Sequence, residues 1–118
     1  MSGFRQFLED QFAPIAGVTI RRMFGGMGVF QDGVMFGLVD DDTLYFRADE
    51  DSRDAFEAEG SNAFTYAGKA KPVTMPYWRA PERIYDDPEE FQLWAEAAIA
   101  AARRAKAAKP ARSKKRRK

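Results

Sequence analysis

Phe4, Phe7, Leu8 and Phe12 recur at the spacing of one helix face, which predicts an amphipathic helix at the start of the chain. Ser2 is placed to cap it, and Pro14 with Gly17 closes it. The period then shortens to that of strands. Val18 to Phe24 reads as a strand ended by Gly25-Gly26, and Met27 to Phe30 as a second. Gln31-Asp32-Gly33 supplies the Asp-Gly signal of a tight hairpin into a third strand, Val34 to Val39. Asp40-Asp41-Asp42 turns the chain into a fourth, Thr43 to Arg47. Four sequential strands with short turns imply an antiparallel meander.

Asp49 or Asp51 is placed to cap a short helix through about Ala58, stopped by Gly60. Phe64-Thr65-Tyr66 and Val73 to Arg79 alternate like strands, with Pro76 marking an edge or a break. Asp87 and Pro88 open a long helix whose stripe is Phe91, Trp94, Ala95, Ala98, Ile99 and Ala102. Pro110 is expected to end it. The order α-β-β-β-β-α-β-β-α predicts a single α+β domain over residues 1–108, a two-layer sandwich with helices on one face of an antiparallel sheet. Residues 109–118 read as a disordered basic tail.

Charge changes this picture more than composition does. The 118 residues carry nineteen basic and eighteen acidic groups, a net charge of +1. Residues 1–102 hold all eighteen acids and nine bases, a net of −9, and the stretch from Arg103 holds ten bases and no acid. The near-neutral total is an acidic body with a cationic end. Cys and His are both absent from the sequence. Disulfides, thiolate sites, a cysteine nucleophile and every histidine-dependent mechanism are excluded with them. No apolar run approaches the roughly 20 residues of a membrane span. A cytoplasmic protein without cofactor or catalytic centre is expected.

The densest local signal is Arg21-Arg22-Met23-Phe24-Gly25-Gly26-Met27-Gly28. One reading is a glycine turn that cradles a phosphate or small ligand, with the arginines as donors. Such loops feed a helix N-terminus, whereas here strands flank the glycines, so a turn or bulge accounts for Gly25, Gly26 and Gly28 more simply. The block continues as Val29-Phe30, then Asp32 to Leu38, then Leu44-Tyr45-Phe46-Arg47. Phe64-Thr65-Tyr66, Met75-Pro76-Tyr77-Trp78 with Pro81, and Asp87-Pro88-Glu89-Glu90 with Trp94-Ala95 follow in order. This succession resembles the TfoX/Sxy N-terminal domain family over roughly residues 4 to 105. The resemblance implies an α+β regulatory domain rather than an enzyme, with no catalytic residues to carry over. Longer members are activators of DNA-uptake competence genes and carry a second, helical domain where this sequence has its basic stretch.

Lys109, Arg112, Lys114, Lys115, Arg116, Arg117 and Lys118 form the basic tail, seven cations in ten residues. They are candidates for non-specific DNA or RNA binding through phosphate neutralisation. Arg21, Arg22, Met23, Phe24, Gly25, Gly26, Gly28, Tyr77 and Trp78 are candidates for an interaction face. Arg21 and Arg22 alternate along a strand, so at most one of them faces the open side of the sheet, a candidate for a small basic patch with Arg47 and Arg79. Asp40-Asp41-Asp42 is better explained as a polar turn than as a metal site. The expected function is a regulatory or adaptor domain with a protein partner of transcription-regulator type, either monomeric or self-associating. The alternatives are a phosphate- or small-ligand-binding domain at Gly25–Gly28 and a plain nucleic-acid-binding protein.

Overall fold

The computed structural model describes residues 3–23 and 25–116, with side chains as far as residue 108. Ser2 and Phe24 therefore lie outside the described residues. The elements are α1 (Gly3–Phe12), β1 (Val18–Met23), β2 (Gly26–Gln31), β3 (Val34–Asp40), β4 (Thr43–Arg47), α2 (Arg53–Ala58), β5 (Ala63–Ala67), β6 (Pro72–Arg79) and α3 (Pro88–Arg116), with a 3-10 turn over Glu82–Asp86 before α3.

Turn chemistry sets the meander. Asp32 and Gly33 both take positive φ, 50° and 85°, the conformation of a two-residue hairpin whose twist matches its strands. Asp41 and Asp42 do the same between β3 and β4, at 51° and 55°. All six strands form one antiparallel sheet in the order β1-β2-β3-β4-β6-β5. The last hairpin thus returns to β4 through β6 and leaves β5 at the edge. Met75 and Pro76 fall between the paired positions Thr74 and Tyr77, so the proline sits in a break of the ladder.

The β2–β3 register also shifts. Val29 faces Gly37 and Phe30 faces Met35, so Phe36 bulges out of the pairing. Phe36, Gly37 and Val39 are all buried on the helix side. Residues three apart cannot share one face of a regular strand, and the bulge is what brings them together.

The helices seal that side. Leu8 and Phe12 of α1, Phe56 of α2, and Phe91, Ala95, Ala98 and Ala102 of α3 join Ile20, Val29, Phe36, Val39, Leu44 and Phe46 in one core. Phe91 meets Phe12 at 5.1 Å and Phe46 at 5.9 Å between ring centroids. Phe12 packs edge-on against Phe36 at 5.6 Å. The Tyr85 hydroxyl accepts a bond from the Leu44 amide at 3.4 Å, and burial pushes its acidity down, to a raised pKa.

Asp87 caps α3 by accepting the Glu90 amide at 3.2 Å. For α2 the N-cap is Ser52 rather than Asp49 or Asp51; Asp49, four residues before Arg53, accepts from the Ser52 amide and hydroxyl and from the Asp51 amide in an Asx turn. The expected stop at Pro110 is not met. Helical backbone runs through it to Arg116. A proline forfeits one helical bond and crowds the preceding turn, while the alanines and lysines on its N-terminal side are strong helix formers.

The helix-free face of the sheet as candidate functional site

Alternation sends every second strand residue to the side away from the helices. Across the middle of that side the register aligns Arg21, Gly28, Leu38, Tyr45 and Arg79. The neighbouring row holds Phe30 opposite Met35, and Arg47 opposite Tyr77. Towards the edge, Phe64 meets Tyr45 at 5.0 Å and lies nearly parallel to Tyr66 at 6.2 Å.

The sheet curls over this side enough for β1 and β5 to border one cavity of about 510 Å³. Met23, Met35, Leu38, Phe64, Tyr66, Met75 and Tyr77 line it, with Gly26 and Asp40 at one end. Tyr77, 6% exposed, forms part of its floor, and Tyr66, 47% exposed, its rim. Thioethers and aromatic rings make an adaptable apolar lining.

The guanidinium groups are tied to rings. The Arg21 guanidinium lies 4.6 Å over Phe30 and that of Arg47 5.7 Å from the Tyr77 ring centre. The Arg47 Nε is buried without a hydrogen-bond partner among the described residues. Burial pushes the Tyr77 hydroxyl pKa up, and the adjacent Arg47 opposes the shift.

Charge is divided by layer. The strands contain Arg21, Arg22, Arg47 and Arg79 but only one acid, Asp40 at the end of β3. The other seventeen acids lie in helices, turns and loops. There, Arg5, Arg53, Arg83, Arg103 and Arg104 each meet a carboxylate within 3.9 Å. Arg83 bridges Glu59 and Glu90, and Arg104 grips Asp49 at 2.7 Å. None of the four strand arginines forms an ion pair among the described residues.

The residues singled out from sequence are distributed as follows. Met23, Gly26 and Tyr77 border the cavity. Gly28 lies beneath Met23 and Phe30, where an added Cβ would come 2.6 Å from the Met23 sulfur and 2.9 Å from the Phe30 ring. Arg21 is on the face, but two strands separate it from Arg47 and three from Arg79, while Arg47 and Arg79 lie on adjacent strands. Arg22 pairs with Met27, which packs against the core, and so belongs to the opposite side.

Trp78 is a correction. It cannot share a face with Tyr77, its neighbour in the strand, and instead packs beside Phe56 at 6.1 Å on the helix side. Gly25, at φ 86°, sits in the β1–β2 turn. That turn joins two strands, and Arg21 and Arg22 diverge from it, so the described side chains do not converge there as phosphate donors. Phe24 and the tail side chains at Lys109, Arg112, Lys114, Lys115, Arg116, Arg117 and Lys118 lie outside the described residues. Met35, Leu38, Phe64 and Met75 were not foreseen as a site. Met35 and Leu38 are out of phase in sequence, and only the bulge between them puts both on the same side.

No described helix is long and apolar enough to cross a membrane. What fold and face together define is a small α+β domain built on a half-covered antiparallel sheet. The sequence model of the TfoX N-terminal domain matches residues 10–102, most of the chain, and the chain belongs to that family. It is also similar to the DNA transformation protein TfoX1 of Aliivibrio fischeri, 35% identical over 68 residues. The match takes in 58% of this chain and 32% of that relative.

Proposed function

We propose that this chain is a non-enzymatic, cytoplasmic regulatory domain that controls DNA-uptake competence by holding a protein partner of the transcription machinery. The observation that carries the reading is the helix-free face, an apolar cavity on a sheet whose other side is packed by the helices. Uncovered apolar surface of this kind marks interaction sites. Family membership and the relative's name, a DNA transformation protein, support the competence context. In this reading the basic tail adds sequence-independent attraction to nucleic acid and the face supplies specificity.

The test replaces the resident copy in its host by Leu38→Glu and by Tyr66→Glu, then measures transcripts of DNA-uptake genes and transformation frequency. Both are expected to fall to the level of a deletion at unchanged protein abundance and melting temperature. Normal competence in both variants would refute the reading.

A further inference from the structure

We infer that the helix-free face binds an acidic, apolar-anchored peptide segment of its partner, with apolar side chains in the methionine-aromatic cavity and carboxylates on Arg47, Arg79 and Arg21. The inference rests on the reading above and names the chemistry of the partner.

Charge complementarity carries it. A body of net charge −9 over residues 1–102 has kept all its acids but Asp40, at one end of the cavity, off the strands and placed three arginines on the one face without helices. The described arginines of helices, turns and loops are answered by carboxylates, whereas these three, like Arg22 on the other side of the sheet, have none among the described residues. The buried Arg47 Nε without an acceptor is the same deficit at the level of one atom. A segment that brings carboxylates supplies the missing counter-charge to these arginines, and the acidic helix layer repels the same segment.

The cavity sets the second requirement. A volume of about 510 Å³ lined by methionines, aromatic rings and Leu38 takes one or two large apolar side chains. A single-stranded nucleic acid would also pair phosphates with arginines, but it needs open ring faces on which to stack bases. Here two of the rings already carry a guanidinium: Arg21 covers Phe30 and Arg47 stands against Tyr77. Tyr66, at the rim, is the half-exposed ring. One open ring at the rim of an apolar cavity suits peptide side chains better than a run of stacked bases.

The test titrates the full chain against fluorescein-labelled decapeptides by anisotropy. One alternates glutamate with leucine and phenylalanine, a second replaces the apolar residues by serine, and a third replaces glutamate by lysine. The cationic tail attracts both acidic peptides alike, so the difference between them reads the face. The apolar acidic peptide is expected to bind at least about tenfold tighter than the serine peptide, the gain from burying one or two large side chains. Arg47→Gln with Arg79→Gln should erase most of that margin, and so should Leu38→Glu. Tyr66→Glu, at a half-exposed position, serves if Leu38→Glu fails to fold.

Equal binding of the two acidic peptides, or preference for the lysine peptide, would overturn the inference. Binding of a fluorescent oligo-dT that is lost on Tyr66→Glu would overturn it in favour of nucleic acid. If the peptides fail while the Leu38→Glu and Tyr66→Glu strains lose competence, the partner chemistry is wrong and the regulatory reading stands.

Discussion

Three glycines within four residues, Gly25, Gly26 and Gly28, meet three different physical demands, and replacing each by alanine separates them. An alanine Cβ at Gly26 would overlap the backbone carbonyl oxygen of Val39 on β3. Neither atom belongs to a flexible side chain, so the end of the β2–β3 ladder must open. Overpacking strain of about 1–3 kcal/mol and the loss of about one ladder hydrogen bond, worth about 1 kcal/mol, give about 2–4 kcal/mol for Gly26→Ala. At Gly25 an added Cβ meets nothing, but φ of 86° is unfavourable for an L side chain, and Gly25→Ala should cost about 1–2 kcal/mol. At Gly28 the obstacle is the Met23 sulfur, which can swing away, and the less mobile Phe30 ring. Gly28→Ala should cost about 1–2 kcal/mol of strain and displace Met23, which lines the cavity. Urea unfolding of the three variants by circular dichroism reads the series directly. Gly26→Ala within about 0.5 kcal/mol of wild type, or Gly25→Ala as the largest loss, would refute the assignment of these glycines to backbone approach and turn.

Three further expectations follow from the same geometry. Hydrogen bonds from Arg104, with its charge, hold the Asp49 carboxyl at about 2 from a normal 3.8. Its stabilisation is therefore full above about pH 4 and is lost as pH falls towards 2. With Arg104 half exposed, Asp49→Asn should cost about 1 kcal/mol at pH 7. The gap from wild type should close between pH 5 and 2, and a pH-independent gap in thermal melts would contradict the pairing. Phe91 is fully buried against Phe12, Phe46 and Tyr85, so Phe91→Ala should cost about 3–5 kcal/mol in denaturant titration; a loss below 1.5 would show that this ring is not the junction of the core. For duplex DNA, a tail that neutralises about six phosphates gives a log–log salt slope of about −5. A chain ending at Ala108 should lose both the slope and the binding in anisotropy, and equal binding by both chains would place the contact on the body.

The elements were legible because local chemistry specifies them. Asp32-Gly33 fixes one hairpin, the spacing of Phe4 to Phe12 fixes a helix face, and Asp87-Pro88 fixes the start of α3. The candidate site was legible only in fragments. Met23 and Gly26 came from one motif and Tyr77 from another, but the cavity they share exists because β6 returns to β4 and carries β5 with it, a pairing between distant segments that no local pattern encodes. Trp78 and Tyr77 look equally suited to an interaction face in sequence, and only the register decides which one faces the helices. Pro110 reads as a terminator on local grounds, yet helical backbone passes through it.

The bulge at Phe36 has a consequence for how the strand tolerates change. Without Phe36, β3 would read Val34, Met35, Gly37, Leu38, Val39, a regular alternation already in step with both neighbours. Phe36 thus behaves as a single-residue insertion that adds one ring to the core while leaving the opposite side of the strand in phase. A length change is normally the harshest edit a central strand can suffer, because it exchanges the two faces of everything beyond it. Here the edit is absorbed at one spot, so the interior and the exposed surface of β3 can vary independently of each other.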